Sequence, residues 1–127
     1  MNPIESKYFL DSSAWISYFL AANEGIKNIV ENPNALFTSV ISIFEIKRKL
    51  LRDGLEESKI KSVLSYILEK SIIIKLDPAV CESAAEFSLK NKLPAIDSLI
   101  HSSSLSVNCI LVTGDSRFKN LNRVMLI

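Results

Sequence analysis

Histidine occurs once in these 127 residues, cysteine twice, glycine three times and proline four times, and each scarcity removes a class of protein. His101 alone, with Cys81 and Cys109 outside any CxxC pair, does not make a zinc site. Both cysteines, one in a predicted helix and one opening a predicted strand, read as reduced core residues. There is no glycine-rich loop to cradle a phosphate, and Ser12 and Ser13 lack the GxSxG setting of a hydrolase nucleophile. No apolar run approaches the length needed to cross a bilayer. The opening MNPIESK also lacks the basic-then-apolar pattern of a secretory leader, so the sequence reads as cytoplasmic. Neither sign of charge dominates: fifteen Lys and Arg against fourteen Asp and Glu leave +1, which argues for no particular partner.

What is present is apolar sequence in short periodic runs. Hydrophobic residues make up 48% of the chain, enough for one compact domain over residues 1–127 without disulfides or a structural metal. Strands are expected at 8–10, 36–38, 72–76 and 109–113, with a short fifth at 124–127. Between them fall helical patterns: one after Asp11, then GIKNIVEN, then 39–54 with Ser39 or Ser42 as cap and Gly54 as stop. Others cover 55–70, Pro78 to Asn91 with proline in the first turn, and the stretch after Pro94. Strands separated by helices require crossover connections, hence an α/β fold with a mainly parallel four- or five-stranded sheet covered on both faces.

In such a sheet ligands bind beyond the carboxyl ends of the strands. Four acids fall there: Asp11 after the first strand, Asp115 after the fourth, and Glu45 and Asp97 near the starts of two helices. Each has a local explanation. Asp11 suits a helix N-cap, and Asp97 a first turn where the helix dipole favours negative charge. Asp115 suits the turn TGDS. Glu45 fits a capping box with Ser42, but lies inside the helix if Ser39 is the cap. Together they make an all-oxygen cluster whose mutual repulsion calls for a hard divalent cation such as Mg²⁺ or Mn²⁺. The hydroxyls of Ser12 and Ser13 are then expected to cap the helix in place of Asp11, leaving its carboxylate to the ion.

Along the helix of Glu45, Arg48, Lys49 and Arg52 share its face within about 60°. They form either a solvated basic stripe or a run of phosphate contacts. Trp15 and Phe44 read as core or dimer surface, and His101 as a structural residue.

FLDSSAWISYF, TSVISIFEIKRKL, LPAIDSLIHSSSL and ILVTGDSRFKNL resemble, in order and spacing, the four motifs of PIN-domain proteins, particularly the small VapC-type toxin ribonucleases. The resemblance spans nearly the whole chain. It implies a three-layer α/β/α sandwich, Mg²⁺- or Mn²⁺-dependent cleavage of RNA, a homodimer and neutralisation by an antitoxin protein. Carried over by position, Asp11, Glu45, Asp97 and Asp115 are the acidic cluster, with Ser12 and Thr113 as supporting hydroxyls. One residue departs from the pattern: Arg117 stands where many members carry a second acid, which tells against a fully occupied second metal site. Arg117 there is either a phosphate contact or a turn residue.

The expected chemistry is hydrolysis of an RNA phosphodiester by metal-activated water, with Asp11, Asp97 and Asp115 as ligands and Glu45 as a direct or water-mediated one. The alternative is a catalytically weak PIN-like module that binds RNA or protein. A phosphatase or receiver domain also uses strand-end aspartates, but DSSAW lacks the second aspartate such a phosphatase motif needs.

Overall fold

The computed structural model describes residues 6–127. The first five residues, where the leader pattern was sought, lie outside the described residues. Five strands, β1 (Lys7–Leu10), β2 (Ala35–Ser39), β3 (Ile72–Ile74), β4 (Ile110–Thr113) and β5 (Val124–Leu126), form one sheet in the order β3-β2-β1-β4-β5. All four pairings are parallel. The helices are α1 (Ser12–Phe19), α2 (Glu24–Glu31), α3 (Val40–Arg52), α4 (Glu57–Lys70), α5 (Pro78–Asn91) and α6 (Ala95–Ser106).

The pleat divides the core in two. Along β1, Tyr8 and Leu10 point to one face and Phe9 to the other; along β4, Val112 and Leu111 divide likewise. The first face carries α1 to α4 through Trp15, Ile26, Val30, Ile46 and Ile67. The second carries α5 and α6 through Phe87 and Ile100, joined by Phe118. This is a three-layer α/β/α sandwich.

Local chemistry sets most element ends. Asp77 caps α5 by accepting the Val80 amide at 2.8 Å, ahead of Pro78 in the first turn. At the end of α3, Gly54 takes a left-handed φ of 78°. Its amide reaches the Leu51 carbonyl and the Leu55 amide reaches that of Leu50, both at 3.1 Å, so two end carbonyls are satisfied.

Three expectations need correction. β3 stops at Ile74 rather than Leu76, because its only neighbour β2 ends in register at Ser39, which turns away to cap α3. Lys75 and Leu76 therefore have no ladder to join. Cys81 is exposed, beside rather than on the α5 stripe that buries Val80 and Ala84; only Cys109 lies in the core. Burial pushes the Cys109 thiol up to about 11, so it is inert at neutral pH. Phe44 is 66% exposed and so is not core, which leaves only the dimer-surface alternative for it, whereas Trp15 is fully buried.

The chain lays down β1, β2 and β3 in one direction, then crosses back to place β4 and β5 on the other side of β1. The strand order reverses between β1 and β4. Chains leaving their carboxyl ends diverge there and open a crevice.

Candidate active site

Asp11 directly follows β1 in that crevice, and its amide bonds the Val112 carbonyl of β4 at 3.3 Å. Asp11 is 6% exposed and, contrary to expectation, is itself the cap of α1: Oδ1 accepts the Ala14 amide at 2.9 Å. The same oxygen accepts Ser13 Oγ at 2.6 Å, and Thr113 Oγ1 donates to Oδ2. Ser13 Oγ in turn accepts the Gly114 amide at 2.8 Å, and Thr113 Oγ1 accepts the Asp115 amide at 3.0 Å. These bonds tie the ends of β1 and β4 into one rigid unit.

Ser13, expected from the sequence only as a helix cap, makes the contact to Asp11, where Ser12 was expected as the supporting hydroxyl. The two-residue spacing in DSS signals the local bond; its link to Gly114, 101 residues away, has no local signal. Ser12 instead lies beside Glu45 in a hollow with Phe44, Arg48, Arg52 and Ile96.

Ser39 Oγ accepts the Ile41 amide at 3.1 Å and is thus the cap of α3. This puts Glu45 in the sixth helical position and rules out its part in a capping box. Asp97 sits at the third position of α6, which starts at this edge because a helix feeding a parallel strand runs back against it. Pro94, the residue before α6, makes no side-chain cap. Asp115 caps the short 3-10 helix Ser116–Phe118.

The four carboxylates sense one another. Burial is the main cause raising Asp11, opposed by the hydroxyls of Ser13 and Thr113 and aided by the charge of Asp115. Burial likewise leads the rise at Glu45, followed by the charge of Asp11; Ser12 works against it, and Asp97 adds to it. Asp97 is raised by burial, against Arg117 and with Asp115 and Asp11. Asp115 alone is lowered, by the hydrogen-bonded guanidinium of Arg117.

These shifts fix how metal-free stability depends on pH. Asp11, Glu45 and Asp97 hold protons in the folded chain at pH values where the unfolded chain has released them. Stability therefore falls as pH rises from the ordinary carboxylate range through their raised values. Asp115 contributes with opposite sign: its stabilisation is present above the ordinary value and lost below it, as pH falls through its depressed one. Denaturant midpoints of the metal-free protein should thus decline as pH rises above the ordinary carboxylate range. A midpoint that climbs there would show that the three carboxyls are not held out of water as the fold places them.

The donor set suits a hard cation, being all oxygen. Asp97 Oδ2 is buried without a hydrogen bond; Arg117 Nε stands 3.4 Å away, a charge contact out of bonding alignment. A buried carboxylate oxygen left unbonded is costly, and an ion would satisfy it. Among the described residues, however, no three acid, histidine or cysteine side chains are gathered tightly enough, as they stand, to hold an ion together. Asp115 is turned to Arg117, whose Nη2 lies 2.7 Å from Oδ2.

The predicted basic stripe is partly engaged. Lys49 pairs with Asp53 at 3.1 Å and Arg52 Nε lies 3.9 Å from the same residue. Arg48 makes no ion pair among the described residues. His101 is buried, with Nε2 2.9 Å from the Asn122 carbonyl and its ring against Phe87, while its Nδ1 has no hydrogen-bond partner among the described residues.

Residues 8–124 match the family model of the PIN domain. The chain belongs to the PIN domain family. No curated protein matches it. Among solved structures, this PIN domain is similar to a toxin-antitoxin complex from Klebsiella pneumoniae, at 19% identity and a TM-score of 0.75, covering 93% of this chain and 95% of that one. It is similar to VapBC2 from Rickettsia felis, solved bound to a DNA fragment from its promoter, at 21% identity and a TM-score of 0.75, covering 95% and 97%. VapC20 from Mycobacterium tuberculosis, described as a toxin that cleaves the sarcin-ricin loop, is 15% identical with a TM-score of 0.73, covering 92% and 96%. At such identities the likeness speaks for the fold of this PIN domain.

Proposed function

We propose that this PIN domain is a divalent-metal-dependent endoribonuclease, the toxin of a VapBC-type pair. The observation that carries this reading is the convergence of Asp11, Glu45, Asp97 and Asp115 on the switch-point crevice, where burial and neighbouring acids raise the first three and Arg117 lowers Asp115. Asp11, Asp97 and Asp115 would hold Mg²⁺ or Mn²⁺, with Glu45 as a further ligand, direct or through water. Bound there, the ion supplies acidified water and charge to offset the negative charge that develops on the attacked phosphate.

The chain's own residues do the positioning. Ser13 and Thr113 fix both oxygens of Asp11 from two sides, so that carboxylate needs no reordering when an ion arrives. Ser12 faces Glu45, whose raised proton affinity suits a group that orients or accepts a proton from water. Arg48, one turn along α3 from Glu45 and in the same hollow, would contact an RNA phosphate. Lys49 and Arg52 would first have to leave Asp53.

An antitoxin fits the surface beside the site. A groove of about 620 Å³ between α1, α3 and α4 is walled by Phe19, Leu20, Leu50, Val63 and Tyr66. Apolar surface of that kind suits the apolar face of a partner helix. No described helix is long and apolar enough to cross a membrane, in keeping with a cytoplasmic place of action. The single domain rests on the length and composition of the chain, and the homodimer on the resemblance.

The test is cleavage of a structured RNA with Mg²⁺ or Mn²⁺ and with a chelator. Cleavage is expected with metal only, and a co-expressed antitoxin should silence it. Cleavage that survives chelation would overturn the mechanism, and binding without cleavage under any metal would favour the RNA-binding module.

A further inference from the structure

Arg117 grips Asp115 on both oxygens. On Oδ1 the carboxylate accepts the Arg117 backbone amide at 2.9 Å and Nε at 3.2 Å; on Oδ2 it accepts the same Nε at 3.0 Å and Nη2 at 2.7 Å. Three N–H groups, the Nε hydrogen shared between the two oxygens, thus put the guanidinium where another cation would approach the carboxylate. The same guanidinium reaches Asp97 Oδ2 at 3.4 Å, the one buried carboxylate oxygen of the cluster without a hydrogen bond. One positive charge thus serves two of the four acids. The Arg117 side chain is itself 59% exposed.

From these contacts we infer that Arg117 is a built-in counter-cation of the acid site, a latch that occupies both oxygens of Asp115 until a divalent ion displaces it. The inference rests on the metal-site reading above. It accounts for two facts together: the acids converge in the fold, yet no three of them close into an ion cage. The backbone amide of Arg117 would keep its bond to Asp115 when the side chain swings out, so the turn is retained while the fork is released. The latched population lowers the apparent affinity for an ion, because only the unlatched fraction can bind. Arg117 is a positioning residue here: it sets how much free ion the site requires.

The test is direct Mn²⁺ binding, followed by loss of the free-ion electron paramagnetic resonance signal, in wild type and Arg117→Gln without RNA. Gln cannot make the charged fork, and substitution at so exposed a side chain leaves the core untouched. The variant should bind Mn²⁺ about tenfold more tightly. Its metal-free thermal midpoint should fall, since the acids lose their counter-charge, while the rise in midpoint on adding Mn²⁺ should grow. Equal binding in the two proteins would overturn the latch. Weaker binding in the variant would do so as well, and would make Arg117 a clamp that presents Asp115 to the ion. If neither protein binds Mn²⁺, the metal reading itself fails and the latch goes with it.

Discussion

Replacing Asp97 by Asn is expected to remove RNA cleavage almost entirely, by more than about a hundredfold, while leaving the protein folded and no less stable. Asn keeps the shape of Asp but not its charge. Asp97 is raised chiefly by burial, with the charges of Asp115 and Asp11 adding to it, so the metal-free fold gains by losing that charge. Its Oδ2 makes no hydrogen bond that the amide would forfeit. Against this stands the 3.4 Å contact with Arg117, which keeps its stronger hold on Asp115. A metal ligand that costs stability in the empty protein separates the two effects: activity collapses and the metal-free denaturant midpoint holds or rises. Mg²⁺ or Mn²⁺ should also lift the thermal midpoint of wild type more than that of the variant. Full activity in Asp97→Asn would remove this residue from the site.

How far the sequence carried this site depends on how local each interaction is. The α5 limits were readable because Asp77 and Pro78 act within one turn of chain. The layered fold was readable because five apolar runs alternate with helical patterns, which leaves parallel crossover as the consistent solution. The length of β3 was not, since a strand ends where its neighbour ends, and β2 lies more than thirty residues earlier.

Asp11 shows the same limit at the site. From the sequence it was either a cap or a ligand, with Ser12 and Ser13 as substitute caps. In the fold the cap bond occupies Oδ1 together with Ser13, while Oδ2 receives only Thr113, 102 residues away. Each carboxylate oxygen has two lone pairs, so capping and ligation are compatible, and the choice posed by the local sequence was not exclusive. Arg117 was read as phosphate contact or turn residue because its bond to Asp115 is local while its reach to Asp97 spans twenty residues.

Trp15 carries the largest expected effect on stability. It is fully buried on α1, four residues beyond Asp11, and edges or stacks against Tyr18, Phe19 and Tyr66 of α1 and α4. Its Nε1 donates to Thr38 Oγ1 of β2 at 2.8 Å, so the indole joins α1 to the sheet by both packing and a hydrogen bond. Trp15→Ala should cost ~3–5 kcal/mol, a large fraction of the ~5–15 kcal/mol that holds a domain together. Thr38→Val should cost less, about 1–3 kcal/mol, since it keeps the volume and strands only the indole N–H. Denaturant midpoints at constant slope measure both. The order of the two costs is the informative part. If Thr38→Val were as damaging as Trp15→Ala, the hydrogen bond rather than the packed ring would anchor α1, and with it the cap that places Asp11 in the crevice. The packed area favours the ring: an indole buried among three aromatic neighbours removes far more apolar surface from water than one hydroxyl bond can replace.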